Sequence, residues 1–129
     1  MSEQEVIATD EAPAAIGPYS QAVKSGGFLL LSGQIAINPD SNELIEGDVK
    51  AEVKQIFANI EAVLKEAGLK LKDVVKTTIF VADMEKFSEV NEVYSSCFKG
   101  HKPARSCVEA SRLPKGVSVE IEAVARVKN

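Results

Sequence analysis

Histidine occurs once in this 129-residue chain, cysteine twice and tryptophan not at all. One imidazole (His101) and two thiols (Cys97 and Cys107) without CxxC spacing supply no recognisable metal-ligand set. Two cysteines also make no disulfide framework of the kind small secreted domains use. Nucleophilic catalysis with a histidine partner would have to use His101, which sits in a loop-like GHKP context that offers no support for it. No apolar run approaches the ~20 residues of a membrane span. The opening MSEQEVIATDEAPA carries three glutamates, an aspartate and no base, so it reads as neither a signal peptide nor an Arg-rich transit peptide. The cytoplasm is the expected compartment. Net charge is −4, from 19 acidic and 15 basic residues, and aromatics make up 5%. Both figures disfavour a nucleic-acid binder, which ordinarily carries a basic face. Only a local cluster of Lys99, His101, Lys102, Arg105, Arg112 and Lys115 qualifies, enough for a small anion.

What remains is an ordinary globular balance, 45% hydrophobic and 26% charged, in a chain long enough to bury a core. Residues 1–129 show no repeat, linker or low-complexity tract and read as one domain. Ser20–Lys24, Ser25-Gly26-Gly27 and Phe28–Ser32 read as strand, tight turn, strand. Asn38 to Asn42 is a turn cluster. Val49, Val53, Ile56, Phe57, Ile60, Val63, Leu64 and Ala67 form one helical stripe, with Asp48 as N-cap and Gly68 at the left-handed C′ position. Val74–Val81 reads as a buried strand. A second helix follows Asp83, turning Phe87, Val90, Tyr94 and Phe98 inward. The expected fold is α+β: a mixed sheet of about six strands with two helices packed on one face. Phe28–Leu31 and Val74–Val81 are apolar on both strand faces, so the second sheet face would be bare in a monomer and predicts association.

The segment from Pro103 to Ala123, PARSCVEASRLPKGVSVEIEA, carries the chemistry. From Val117 to Val127 the residues alternate, with Val117, Val119, Ile121, Ala123, Ala125 and Val127 on one face and Ser118, Glu120, Glu122 and Arg126 on the other. A turn holding Pro114 and Gly116 predicts a hairpin that brings Arg105 within reach of Glu120. Such a pair would hold a small carboxylate and activate a water. Spacing alone favours the plainer alternative for Arg105, an arginine salt-bridged to Glu120 or Glu122.

The PARSC…LPKG…VEIEA run resembles the signature of the Rid family, the reactive-intermediate deaminases. APAAIGPYSQAV (Ala12–Val23), FLLLSGQIAINP (Phe28–Pro39) and VVKTTIFVADM (Val74–Met84) resemble the RidA branch in the expected order over nearly the whole chain. The resemblance implies a chorismate-mutase-like fold and a homotrimer with clefts between subunits. It also implies hydrolysis of 2-imino acids such as 2-iminobutanoate and 2-iminopropanoate to 2-oxo acids and ammonia, with no metal or organic cofactor. In that reading Arg105 binds the substrate carboxylate and Glu120 holds and helps activate the attacking water. Tyr19 reaches the pocket from a neighbouring subunit, and the Gly33 backbone forms cleft wall. Cys107 lines the pocket as a binding residue rather than a nucleophile, since no histidine or local feature lowers its thiol pKa to activate it. Asn91, a polar residue on an apolar helix stripe, falls near the pocket, with structural capping as its alternative. Two rival functions attach to the same resemblance: an RNA-directed activity, and a non-catalytic ligand-binding or chaperone-like trimer.

Overall fold

The computed structural model describes residues 4–128. In chain order the elements are strands β1 (Glu5–Ile7), β2 (Ala22–Ser25), β3 (Phe28–Gln34), β4 (Ile37–Asn38) and β5 (Glu43–Leu44), helix α1 (Val49–Glu66), strand β6 (Val74–Val81), helix α2 (Phe87–Phe98), and strands β7 (Ala104–Glu109) and β8 (Val119–Arg126). Six strands form a mixed sheet in the order β1-β2-β3-β8-β6-β7, while β4 and β5 make a separate small hairpin. The expected α+β class, strand number and pair of helices are all present. Sequence patterning alone did not predict β1, whose three residues are too few to show a period.

Helix α1 forms where its apolar stripe begins and ends with matching caps. Asp48 accepts a hydrogen bond from Lys50 N, satisfying one of the orphan donors of the first turn. At the other end Gly68 adopts φ 76°, Gly68 N donates to Lys65 O and Leu69 N to Leu64 O, the paired bonds that close a helix through a left-handed residue. The stripe, led by Val53, Ile56, Phe57, Ile60, Val63 and Leu64, is buried against the sheet and α2. Phe57 meets Tyr94 and Phe98 of α2 edge-on, with ring centroids 5.7 and 5.4 Å apart.

Three buried polar side chains on this framework fix irregular backbone. Asn59 Nδ2 donates to Ile35 O and Ile37 O, tying the segment between β3 and β4 to α1. Glu52, only 5% exposed, accepts from Ser118 N just before β8. Gln21 folds the N-terminal loop around itself: its Oε1 accepts from Thr9 N, and its Nε2 donates to the carbonyls of Thr9, Ala12 and Pro13.

The sheet departs from expectation in one connection. β7 and β8 do not form a hairpin: β7 pairs in parallel with β6 at the sheet edge, and β8 inserts antiparallel between β6 and β3. The turn around Pro114 and Gly116 exists, but its two strands lie two positions apart. The parallel β6-β7 pair requires a crossover, which α2 supplies. The face of the sheet away from the helices is open and carries an apolar row beside Glu120 and Glu122. Val6, Val23, Leu30 and Val124 stand in register across four strands, and Val6, Phe28, Leu30 and Val108 are all exposed.

Truncating Gln21 to alanine leaves several loop carbonyls and one amide without partners, so Gln21→Ala should lower stability by ~1–3 kcal/mol. A thermal melt unchanged from the parent would show that the loop is held by other means.

Candidate active site

The chemically competent residues fall into two groups set on opposite faces of the sheet. On the helix side, Arg105 pairs in register with Thr77 of β6, whose side chain is buried beneath α2. Arg105 Nη1 donates to Asn91 Oδ1 at 2.7 Å, and its Cζ lies 4.9 Å from the Tyr94 ring centroid and 5.3 Å from that of Phe87. Arg105, Asn91 and Tyr94 border a cavity of about 300 Å³ that His101, Lys102 and Pro103 close from the loop side. Cys107 follows two residues along the same strand face, half-buried, with burial pushing its thiol pKa up and Arg105 opposing that more weakly. A thiol so disposed stays protonated and is a poor nucleophile.

On the open face Glu120 stands beside Gly33, Tyr19, Gln34 and Lys115 in a cavity of about 690 Å³. Gly33 lies where the β3-β8 register shifts between Leu31 and Gln34. A Cβ built on Gly33 would overlap the Glu120 carboxylate, lying 2.9 Å from its carboxyl carbon, so only glycine lets this acid sit against the backbone. Burial first, and Glu122 on the same face second, push the Glu120 pKa up. Tyr19, 54% exposed, projects from the loop that Gln21 holds, after Gly17 with φ 128°.

Arg105 and Glu120 are therefore separated by strand β6 and by the sheet itself. The expected juxtaposition within one chain does not occur, because β8 is recruited to β3 and β6 rather than to β7. Asn91 falls with Arg105, and Tyr19 and Gly33 fall with Glu120. Asn91 proves to be a partner of the guanidinium rather than a helix cap. Sequence reasoning missed Phe87 and Tyr94 as aromatic neighbours of Arg105; both were assigned to the core by their spacing. It also missed Thr77, for which a strand sequence carries no signal. His101 is anchored through Nε2 to Val74 O and packs beside Phe98.

Two helices packed on one face of a mixed six-stranded sheet are the architecture of the chorismate-mutase-like α+β proteins. A protein-family model described as Endoribonuclease L-PSP matches residues 9–127. The 2-iminobutanoate/2-iminopropanoate deaminase of Escherichia coli K12 is 51% identical over 122 residues, covering 92% of this chain and 94% of that protein. The crystal structure of YyfA from Yersinia pestis, a member of the conserved Rid protein family, superposes with a TM-score of 0.95 at 51% identity, over 97% of this chain and 100% of the other. E. coli TdcF with bound serine superposes with a TM-score of 0.91 at 41% identity, over 96% and 99% of the two chains. The chain belongs to the Endoribonuclease L-PSP family and, within it, to the Rid proteins.

Because the folded Glu120 carboxyl binds its proton more tightly than an unfolded one, its ionisation costs stability as pH rises through the raised folded pKa. Glu120→Gln should therefore melt higher than the parent at neutral pH. The gain should vanish as pH falls below the ordinary glutamate range. An offset that is the same at neutral and acidic pH would contradict this assignment.

Proposed function

We propose that this protein is a hydrolytic deaminase of reactive 2-imino acids, acting on 2-iminobutanoate and 2-iminopropanoate, with each active site built between two copies of the chain in a homotrimer. The observation that carries the reading is the Arg105 guanidinium, held in place by neutral groups beside a cavity and absent from every ion pair among the described residues. A planar fork with its charge uncompensated suits a carboxylate. The E. coli relative's name specifies substrates carrying one, and the TdcF neighbour was crystallised with serine, also a carboxylate.

In this reading Arg105 of one subunit pairs with the substrate carboxylate, and Cys107, two residues on along the same strand face, adds a neutral wall to the cleft. Glu120 of the adjacent subunit faces the imine carbon across the cleft, with Tyr19 and Gly33 beside it. The open apolar sheet face, with Leu30 and Phe28 exposed, supports burial against neighbouring copies. The substrate enters as a protonated imine, and a carboxylate close to it stabilises that charge. Glu120 accepts a proton from water as the water oxygen bonds to the imine carbon, and the C=N π pair moves onto nitrogen. Glu120 then returns its proton to that nitrogen, and the C–N bond breaks as a hydroxyl lone pair closes the C=O bond and the hydroxyl proton passes back to Glu120. Ammonia and the 2-oxo acid leave, and Glu120 loses its proton to solvent or to the ammonia. The raised pKa of Glu120 suits this double duty, because a carboxyl poised nearer neutrality both accepts and returns a proton. Positioning and charge stabilisation supply the acceleration, since the reaction also runs in water. The cytoplasm is the proposed compartment. Small imino acids rather than nucleic acids are the proposed partners, in keeping with a net charge of −4.

The direct test couples a threonine dehydratase, which generates 2-iminobutanoate, to semicarbazide trapping. The protein should suppress semicarbazone formation. Arg105→Ala should lose about a hundredfold or more of kcat/KM, as expected for a bidentate charged pair. Arg105→Ala and Glu120→Gln trimers should each be inactive, yet unfolding and refolding them together should restore about a quarter of the parent activity, the statistical share of clefts with both groups intact. No recovery on mixing would place both groups in one subunit and refute the shared site.

A further inference from the structure

Arg105 lies exposed on an edge strand, where a long cation ordinarily wanders among rotamers or settles on a carboxylate. Here it does neither. Asn91 accepts from Nη1, the rings of Tyr94 and Phe87 flank the guanidinium, and no ion pair among the described residues includes it. Tyr94 is itself immobilised. Its ring packs on Phe57 and Phe98, and its hydroxyl lies 2.7 Å from Thr77 Oγ1. Tyr94 is 7% exposed and Thr77 1%. Thr77 is the residue directly in register with Arg105. One rung of the sheet therefore carries the arginine on β7 and, on β6, the hydroxyl that fixes the ring beside it.

We propose that Thr77 and Tyr94 are positioning residues for Arg105, completing with Asn91 and Phe87 an uncharged cradle that aims the guanidinium while leaving its charge for the substrate carboxylate. The inference rests on the reading of Arg105 as a carboxylate anchor. Its physical logic has two parts. Ordering the side chain before substrate arrives removes an entropic cost from binding. A carboxylate partner would order it equally well, but would compensate the charge and compete with the incoming anion. Aromatic faces and an amide oxygen orient a guanidinium without that competition. The buried hydroxyl pair matters because a tyrosine ring held at its far end cannot swing away from the arginine.

Binding of 2-oxobutanoate, the product carboxylate, to the intact oligomer by titration calorimetry reads the cradle without requiring turnover, and steady-state kinetics on 2-iminobutanoate reads it during catalysis. Thr77→Val and Tyr94→Phe each remove one hydroxyl while preserving shape. Each should raise Kd and KM about fivefold with kcat within about twofold, the signature of lost anchoring rather than lost chemistry. The double variant should be no worse than either single one, because both delete the same hydrogen bond. Asn91→Asp keeps an acceptor for Nη1 but adds a charge, and should weaken 2-oxobutanoate binding about tenfold or more. Lower melting temperatures with unchanged Kd and KM in the hydroxyl variants would mark a purely structural pair and overturn the proposal. So would Asn91→Asp binding as tightly as the parent. Should Thr77→Val fail to fold, Tyr94→Phe, which retains the ring, decides the same question. A parent protein that binds 2-oxobutanoate but leaves the imine untouched would refute the deaminase reading alone, and the Kd comparison would still judge the cradle.

Discussion

The position of β6 in the sheet governs everything that follows from this structure. It pairs in parallel with β7 on one side and antiparallel with β8 on the other. Side chains in register share a face, so Arg105 follows buried Thr77 onto the helix side, and Glu120 follows Phe80 onto the open side. Two residues separated by a short loop in sequence are thereby placed back to back. A chain that needs both groups at one substrate must bring them together between copies, and the unclothed apolar face is the surface on which copies can meet.

The two halves solve opposite electrostatic problems. In the proposed reaction Arg105 serves only if its charge is available, and its immediate partners are an amide and two aromatic rings. In the same proposed reaction, Glu120 serves only if it can both take up and return a proton. It is pressed against Gly33, with burial and the neighbouring Glu122 raising its pKa. Cation and acid are thus tuned by local packing in separate places, before any contact between them.

Much of the scaffold was legible from local pattern. The α1 stripe from Val49 to Ala67 gives itself away through a 3.6-residue period and through Asp48 and Gly68 at its ends, because capping depends on residues adjacent in sequence. The alternation from Val117 to Val127 sorts Glu120 from Ile121 correctly for the same local reason. The residues of the candidate site were also legible as types: Arg105, Asn91, Glu120, Gly33 and Tyr19 all border one of the two cavities. Their grouping was not legible. A turn such as LPKG suggests a hairpin whenever two strands flank it, and no feature of either strand reveals that β8 pairs with β3 and β6 instead. Tyr94 likewise looks like a core aromatic, and it is one; its place beside Arg105 arises only in the fold, where the arginine of β7 reaches over its ring.

The sequence by itself determined both helices and the longer strands, their buried faces, the family and the inventory of reactive groups, since each depends on residue type and near-neighbour spacing. Tertiary structure alone decided which strand lies beside which. That choice set Arg105 and Glu120 on opposite faces, closed Asn91, Phe87 and Tyr94 around the arginine, and fitted Glu120 against Gly33. Strand order is a long-range property, decided by how α1 and α2 cover one face of the sheet, and no short window of the chain encodes it.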